Sequence, residues 1–336
     1  MKLSLMIPTF ESGDTIERTL ASVLAQDYRP LEVLVYDECS TDSTRETVER
    51  LLDRADPRIK TRFLTSDENS GPVRAWRVAL HGITGDWCSF VWADDVLKPS
   101  YSTKMMAAAA RAEEGGRTLV TCSAEVERDG DVLPYYGLDA GLATAVEYSE
   151  GIFLRRFPIS QICSVYATTA AREVFDRHIA IENPRGYDYE RHPYGNDVGF
   201  LSELAAEGAG VELIGERLVT LVLSSSSMTR RALREHIWLH RWQYTYNFLR
   251  VWRWWEARGI PDARRLRRMA ERRLALCSLV LGGFGDRFRP PLYPMAVRAY
   301  LEFRRFDYQV THSTLDEHRV KLAARRGAEH PSHSLA

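Results

Sequence analysis

Acidic residues follow each of the first four predicted strands, and the densest group is the pair Asp94-Asp95. Glu11 follows the first strand, and Asp37 and Glu38 follow the second. In an open parallel sheet, ligands bind beyond the carboxyl ends of the strands, where such loops meet. Crowded carboxylates are costly unless a cation or hydrogen-bond donors lie among them. The pattern therefore predicts a cation-dependent binding site at this edge of the sheet.

The Asp94-Asp95 pair follows a buried apolar strand that ends in Phe90-Val91-Trp92. Because neighbouring side chains on extended backbone point to opposite sides, we expect the two carboxylates to have separate roles. One would bind a hard divalent cation, and the other would accept a hydrogen bond from a sugar hydroxyl. Mg²⁺ uses one or two carboxylates, with phosphate oxygens and water completing its shell. The alternative is a solvated turn or a helix cap before Pro99.

The elements that must position these residues alternate along the first hundred residues. Apolar strands are predicted over 3–8, 32–36, 60–65 and 87–92, with helices starting near Asp14, Ser43 and Pro72. The helix starts show capping-box spacing or a proline in the first turn. Further strands are predicted over 118–126, 211–214 and 218–223, with a helix over 196–207. This repetition favours an α/β fold with a mostly parallel central sheet flanked by helices.

Four segments, in their order and spacing, resemble the family 2 glycosyltransferases, which are nucleotide-sugar enzymes of the GT-A fold. The segments are Ile7-Pro8-Thr9-Phe10, the run from Val33 to Asp42, Asn69-Ser70-Gly71 and Ala93-Asp94-Asp95. The resemblance covers about residues 1–125 and resumes over 194–197 and as far as 227–229. It implies transfer of a sugar from a nucleoside-diphosphate sugar to an acceptor hydroxyl, with inversion and with a divalent metal ion.

The resemblance implies that Asp95 binds the metal, Mg²⁺ or Mn²⁺, on the donor diphosphate, and that Asp94 binds the ribose or the metal. Arg77 lies where it could reach the diphosphate, with a surface ion pair as the alternative. The acceptor would be a glycan, a lipid-linked sugar or a small molecule such as a secondary metabolite.

For the nucleotide, the resemblance implies that Pro8, Thr9 and Phe10 hold the base and that Phe10 is available to stack. Glu38 stands at the place of the family's base-reading carboxylate. A carboxylate accepts a ring N–H from uracil, thymine or guanine, which favours UDP-, dTDP- or GDP-sugars. The remaining residues assigned to nucleotide binding are Glu11, Asp37, Asn69 and Gly71.

Asp197 is the implied catalytic base, because inversion needs a carboxylate to take the proton of the attacking hydroxyl. The bound metal would stabilise the leaving diphosphate. The alternative is that Asn196 or Asp197 caps the helix that starts there. Asp188 and Glu190, in the preceding loop, are reserve candidates.

Several positions depart from the family's usual pattern. Asn196 replaces a commonly acidic neighbour of the base, Glu38 replaces the commoner Asp, and Trp92 stands where some members have another acid. Processive members show Q-x-x-R-W, whereas this chain has Trp238 ahead of Arg241-Trp242. We therefore expect transfer of a single sugar rather than polymer extension.

The net charge of −1 conceals a division, because residues 1–228 carry −13 and residues 229–336 carry +12. We therefore predict a catalytic domain over 1–228, a basic Trp- and Arg-rich helical region over 229–326 and a disordered tail over 327–336. The Trp-rich helix near 238–255 is apolar around most of its girth, so we expect it to dock on the first domain. Its polar residues form one stripe: His236, His240, Gln243, Asn247 and Arg250.

The arginines between 264 and 273 leave three interpretations open. They pair with acids of the first domain, or they contact an anionic membrane or a lipid-pyrophosphate acceptor. Nucleic-acid binding has no motif to support it, and we expect none.

Composition limits the class of protein. An apolar fraction of 45% and a charged fraction of 27% are typical of soluble globular chains. No apolar run approaches the ~20 residues of a membrane span. The five cysteines include no C-x-x-C pair, and the start of the chain lacks a signal-peptide pattern. We expect a cytoplasmic protein, with peripheral contact at the cytoplasmic face of the membrane as an alternative.

Two other classes of function compete with sugar transfer. A nucleotidyltransferase would show a first loop rich in Gly and basic residues, whereas this loop offers only Gly13 and no base before Arg18. No G-x-G-x-x-G follows the first strand, which disfavours a dehydrogenase. A nucleotide-sugar-binding protein without turnover is the alternative that is not an enzyme.

Overall fold

The computed structural model describes residues 1–179, 195–223 and 237–282. Its strands are β1 Leu3–Thr9, β2 Leu31–Asp37, β3 Ile59–Thr65, β4 Trp87–Phe90, β5 Val96–Leu97, β6 Leu119–Arg128, β7 Asp131–Tyr136, β8 Gly141–Ala143, β9 Ser164–Ala167 and β10 Val211–Val222. Its helices are α1 Ile16–Leu24, α2 Thr44–Leu52, α3 Pro72–Gly82, α4 Tyr101–Glu114, α5 Ala145–Phe153, α6 Thr168–Ile179, α7 Asn196–Glu207, α8 Ile237–Ala257 and α9 Ala263–Gly282. A 3₁₀ turn over Gln161–Cys163 precedes β9.

The strands form one mixed sheet in the order β3-β2-β1-β4-β9-β6-β10-β5, with β7 on β6 and β8 on β10. The strands β3, β2, β1 and β4 run parallel, as predicted. β9 lies antiparallel to both β4 and β6. The predicted strands over 211–214 and 218–223 are one strand, β10, whose register against β6 shifts between Ile214 and Val219.

The strands β1 and β2 are buried at every residue because helices cover both faces of the sheet. Leu5 and Val33 belong to the apolar core that includes Ile16 and Leu20 of α1. Leu34 points the other way, toward Gly82 of α3. These continuous apolar runs are the physical reason that the strands lacked strict alternation in the sequence.

Aromatic side chains of α8 pack on α5. The Phe153 ring lies 5.1 Å from the Phe248 ring and 5.0 Å from the Trp252 ring. Two successive buried hydrogen bonds add to this contact. The Trp252 indole donates to Ser149 Oγ at 2.8 Å, and Ser149 Oγ donates to Ser202 Oγ of α7 at 2.8 Å. α8 is thereby held against α5 and α7.

The first compact unit runs from Met1 to Arg267 and the second from Arg268 to Ala336. The sequence had placed the division after residue 228, where the charge changes sign. The structure instead includes α8 in the first unit, because its apolar side chains are buried against α5 and α7. The predicted tail over 327–336 lies outside the described residues. Within the described ranges, every helix is too short or too polar to cross a bilayer.

Candidate active site

The carboxyl ends of β1 and β2 bring several of the predicted nucleotide-binding residues together. Thr9 is the register partner of Asp37, and the Glu38 amide donates to the Thr9 carbonyl at 3.0 Å. The Thr9 hydroxyl is buried and has no hydrogen-bond partner in the described part of the structure. The Phe10 ring is 46% exposed. One unsatisfied polar atom and one open ring face are what a bound nucleotide base would use.

Two other predicted nucleotide ligands hold the loops in shape. Both oxygens of Asp37 are engaged, by the Ser40 hydroxyl and amide and by Arg45 Nε at 2.6 Å. Glu11 Oε1 accepts from the Thr41 amide at 2.7 Å and from its hydroxyl at 3.0 Å. The structure thus gives these carboxylates a scaffolding role, and their contact with a nucleotide remains a prediction.

Glu38 is only 3% exposed and accepts from the Ser70 amide at 3.0 Å. Burial raises the pKa of its carboxyl, and the amides of Ser70 and Gly71 partly oppose that rise. Asn69 Oδ1 accepts from the Gly71 amide at 3.1 Å, and Gly71 has φ 98°, a conformation that favours glycine. The backbone amides of the predicted segment 69–71, just before α3, therefore hold the Glu38 carboxylate in place.

Arg77 of α3 pairs with an acid on α6. Its Nε lies 3.8 Å from Asp176 Oδ1 of α6, which also accepts from His81. The structure thus favours the surface ion pair that the sequence left open for Arg77.

Asp94 and Asp95 lie in a turn, closed by a hydrogen bond from the Asp95 amide to the Trp92 carbonyl at 3.1 Å. The expectation of extended backbone at this pair was wrong, because the chain reverses here so that β5 can pair with β10. That pairing brings the Val222 amide to 2.8 Å from Asp95 Oδ1. The Thr19 hydroxyl of α1 donates to the Asp95 carbonyl at 2.8 Å.

The two carboxylates affect each other. Asp95 is 5% exposed, and burial together with the charge of Asp94 raises its pKa well above the usual range. Burial also raises the pKa of Asp94. Among the described residues, no cationic side chain contacts either carboxylate. A cation that arrives with the substrate would neutralise them.

These residues fit a divalent cation that is shared with a diphosphate. Within the described ranges, no three His, Cys, Asp or Glu residues converge to hold a metal by themselves. Mg²⁺ needs only one or two carboxylates when phosphate oxygens and water supply the other ligands. Asp94 and Asp95 satisfy that requirement.

Asp197 lies in the first turn of α7. Its Oδ1 accepts from the Val198 amide at 2.9 Å, and its Oδ2 accepts from the Tyr244 hydroxyl of α8 at 3.2 Å. Burial raises the pKa of Asp197 to about 7. Gly195 occupies the N-cap position of α7, and Asp197 lies inside the first turn, where it bonds one backbone amide. A carboxyl that titrates near neutral pH suits a general base. Asp188 and Glu190 lie outside the described residues.

Gly195 permits the close approach of α7 to α8. It has φ 84°, and a Cβ there would lie 2.8 Å from Tyr244 Cα and 2.9 Å from Asn247 Nδ2. We expect Gly195→Ala to lower the free energy of unfolding by about 3 kcal/mol or more. An alanine in the left-handed conformation is costly by itself, and the steric overlap with α8 adds to that cost.

Gly259→Ala is the matched control for that prediction. Gly259 has φ 72°, and a Cβ there meets nothing within 4 Å. Urea unfolding should give a loss of only about 1–2 kcal/mol for this variant. Equal losses in the two variants would show that α7 and α8 do not need this close contact.

Sequence reasoning missed Tyr244 and Val222. Tyr244 is absent from the polar stripe predicted for the Trp-rich helix, although its spacing of four from His240 places both on one helix face. The Val222 contribution is a backbone amide, and a side-chain pattern cannot identify it.

The mixed sheet with helices on both faces defines the class of fold, which is the GT-A fold. Residues 4–177 match the family described as Glycosyl transferase family 2, so the chain belongs to that family. α7 and α8, which supply Asp197 and Tyr244, lie beyond the matched segment.

One similar protein is the GalNAc(5)-diNAcBac-PP-undecaprenol beta-1,3-glucosyltransferase of Campylobacter jejuni, with 31% identity over 155 residues. That segment is 46% of this chain and 47% of the relative. The chain spans less than half of the length of the curated relatives that it matches.

Solved structures share the fold at lower identity. S. aureus TarS 1–349 in complex with UDP-GlcNAc is 18% identical with a TM-score of 0.57, covering 100% of this chain and 95% of that one. Mannosyltransferase PcManGT from Pyrobaculum calidifontis, in complex with GDP-Man and Mn2+, is 19% identical with a TM-score of 0.51, covering 92% and 83%.

Proposed function

We propose that this protein transfers one sugar from a UDP-, dTDP- or GDP-sugar to an acceptor hydroxyl, with inversion and with a divalent metal ion. The observation that carries the proposal is the Asp94–Asp95 pair, two adjacent carboxylates at the sheet edge without a described cationic partner. A divalent cation would neutralise the two carboxylates, and a nucleoside diphosphate would supply other ligands of that cation.

The nucleotide end of the donor lies, in this proposal, along the loops after β1 and β2. The exposed Phe10 ring stacks on the base, and Glu38 accepts a ring N–H from it. The complexes of TarS with UDP-GlcNAc and of PcManGT with GDP-Man support bases that carry such an N–H.

Asp94 and Asp95 would hold the metal, Mg²⁺ or Mn²⁺, which stabilises negative charge on the diphosphate when bound. Asp197 takes the proton of the acceptor hydroxyl as that oxygen attacks the anomeric carbon. The bond from the anomeric carbon to the diphosphate oxygen breaks on the opposite side, and its electron pair leaves with the diphosphate. Attack from the opposite side inverts the configuration at that carbon.

For the acceptor, the proposal names a lipid-linked sugar. The name of the Campylobacter relative points to an undecaprenol-diphosphate glycan as acceptor of that protein, which supports a lipid-linked sugar here. A free glycan and a small molecule remain the alternatives.

A panel of nucleotide sugars tests the proposed function. With Mn²⁺ present, UDP-, dTDP- or GDP-sugars should release nucleoside diphosphate, and EDTA should abolish the release. ADP-glucose is the matched control, because adenine lacks the ring N–H that Glu38 would read. Nucleotide binding without release from any donor would favour a binding protein, and absence of both would refute the proposal.

One arginine of the basic region pairs with an acid of the predicted first domain, 1–228: Arg265 NH2 lies 2.9 Å from Glu150 Oε2 of α5. Arg267 pairs instead with Glu256 of α8, within the basic region itself. The pair with Glu150 supports the interpretation that the arginines meet acids of the first domain. Peripheral membrane contact stays a prediction, and flotation with anionic vesicles at low salt would refute it if no protein rises with them.

A further inference from the structure

Tyr244 of α8 reaches across to Asp197 of α7. Its hydroxyl donates to Asp197 Oδ2 at 3.2 Å, while the Val198 amide donates to Oδ1 at 2.9 Å. Each carboxylate oxygen therefore has a donor among the described residues, and an oxygen with one donor has a second lone pair that can take a proton. These two donors hold the carboxylate in one orientation.

The Tyr244 side chain is itself fixed in place. The Tyr244 ring packs on the His240 ring with a centroid distance of 4.4 Å, and its backbone lies against Gly195. Further along α8, Trp252 is tied to Ser149 of α5 and through it to Ser202 of α7. α7 and α8 are thus joined at both the site and the core, so the tyrosine hydroxyl and the carboxylate keep their relative positions.

We propose that Tyr244 is a positioning residue for Asp197, whose hydroxyl holds the carboxylate in the orientation and the ionised form that accept a proton from the acceptor. The inference rests on the proposed role of Asp197 as the base. During transfer, the acceptor proton moves to the free lone pair of the carboxylate, and Tyr244 keeps its own proton throughout. The tyrosine therefore touches the base and takes no part in the bond exchange.

Within the described residues, the charged and titratable groups around this pair come from α5, α7, α8 and β7, and from Arg155 just after α5. His240 lies on α8, and its pKa is lowered to about 4 by burial and by the charges of Arg155 and Arg241, so it stays neutral. Burial and the neighbouring Asp197 raise the pKa of Tyr244 well above the usual range, and Tyr135 and Tyr136 of β7 add to that rise. The acids of the far end of α7, Glu203 and Glu207, pair with Arg177, and Glu150 of α5 pairs with Arg265.

The hydrogen bond from Tyr244 determines in which direction the pKa of Asp197 should change when the tyrosine hydroxyl is removed. A donor to the ionised carboxylate stabilises that form and lowers the pKa, in opposition to burial. Without the tyrosine hydroxyl, the pKa of Asp197 should rise further. The loss of one hydrogen bond to a charged group corresponds to a shift of about one unit.

NMR of the carboxyl carbons measures the pKa of Asp197 without any substrate. The full chain is labelled with ¹³C at the aspartate carboxyl carbons, and Asp197→Asn identifies the Asp197 signal by its loss. We expect a midpoint near pH 7 in the unsubstituted protein, about one unit higher in Tyr244→Phe and unchanged in Tyr246→Phe. Tyr246 is a matched control because it lies on the same helix, where its ring stacks on Trp242 at 5.0 Å.

The transfer rate gives the second readout. In Tyr244→Phe it should fall about 10-fold at pH 6 and much less at pH 9, because the base is ionised at high pH in either protein. An unchanged midpoint in Tyr244→Phe, or a rate loss equal at all pH values, would overturn the inference and leave the proposed function intact. Full transfer activity in Asp197→Asn would instead overturn the role of the base, and this inference with it.

Discussion

Asp197→Asn should lose about 10²- to 10⁴-fold in the rate of sugar transfer at pH 8. The amide keeps the shape of the side chain: its Oδ1 still accepts from the Val198 amide, and its Nδ2 can donate to the Tyr244 hydroxyl oxygen, but it cannot take a proton. Affinity for the nucleotide sugar should stay within about 3-fold, because the residues proposed to bind the donor lie on β1, β2 and the turn after β4. Turnover under saturating donor, together with calorimetric titration of UDP and Mn²⁺, measures both quantities.

Stability provides the control for that variant. The pKa of Asp197 rises from 3.8 to about 7 on folding, so the ionised form is disfavoured in the native state. The unsubstituted protein must therefore lose stability as pH rises from about 4 to about 7, whereas the Asn variant does not. Asp197→Asn should unfold at an equal or higher temperature at pH 8. Turnover comparable to that of the unsubstituted protein would refute the role of Asp197 as base.

Asp95→Asn should weaken the Mn²⁺-dependent binding of UDP by about 100-fold, or ~2.7 kcal/mol. Asn still accepts from the Val222 amide, so the turn is preserved, but the site loses one of its two negative charges. Removal of that charge also relieves the repulsion between Asp94 and Asp95, so the metal-free variant should be no less stable. Calorimetric titration of UDP with and without Mn²⁺ measures the change.

Asp53→Asn is the matched control for the Asp95 variant. Asp53 is exposed at the end of α2, and this variant removes the same charge far from the sheet edge. It should bind UDP and Mn²⁺ as the unsubstituted protein does. Equal affinity in the Asp95 and Asp53 variants would contradict the assignment of Asp95 to the metal and diphosphate.

Much of the first half of the fold could be predicted from the sequence. Strands such as Leu3–Thr9 are continuous apolar runs because both faces are buried, and Pro72 marks the start of α3 by its fixed backbone angle. The segment 135–165, in contrast, gave no clear pattern. It folds into short elements, among them β8 and β9, whose antiparallel pairing depends on strands far away in the chain.

In the candidate site, too, the sequence predicted the residues but not their geometry. The acids Glu38, Asp94 and Asp95 could be found because loops after parallel strands meet at one edge of a sheet. Their geometry could not, since the turn at Asp95 depends on Val222, 127 residues later in the chain. The ion pair of Arg77 with Asp176 likewise joins two helices that only packing brings together.

The sequence by itself determined the α/β class, the family and the identity of the candidate carboxylates, because these follow from patterns among residues that are near in the chain. Only the tertiary structure decided that Tyr244 donates to Asp197, that α8 belongs to the compact unit Met1–Arg267 and that Asp37 and Glu11 support their loops. The physical reason is that such contacts depend on how whole helices and loops pack, and close packing selects partners by shape and distance rather than by position in the chain.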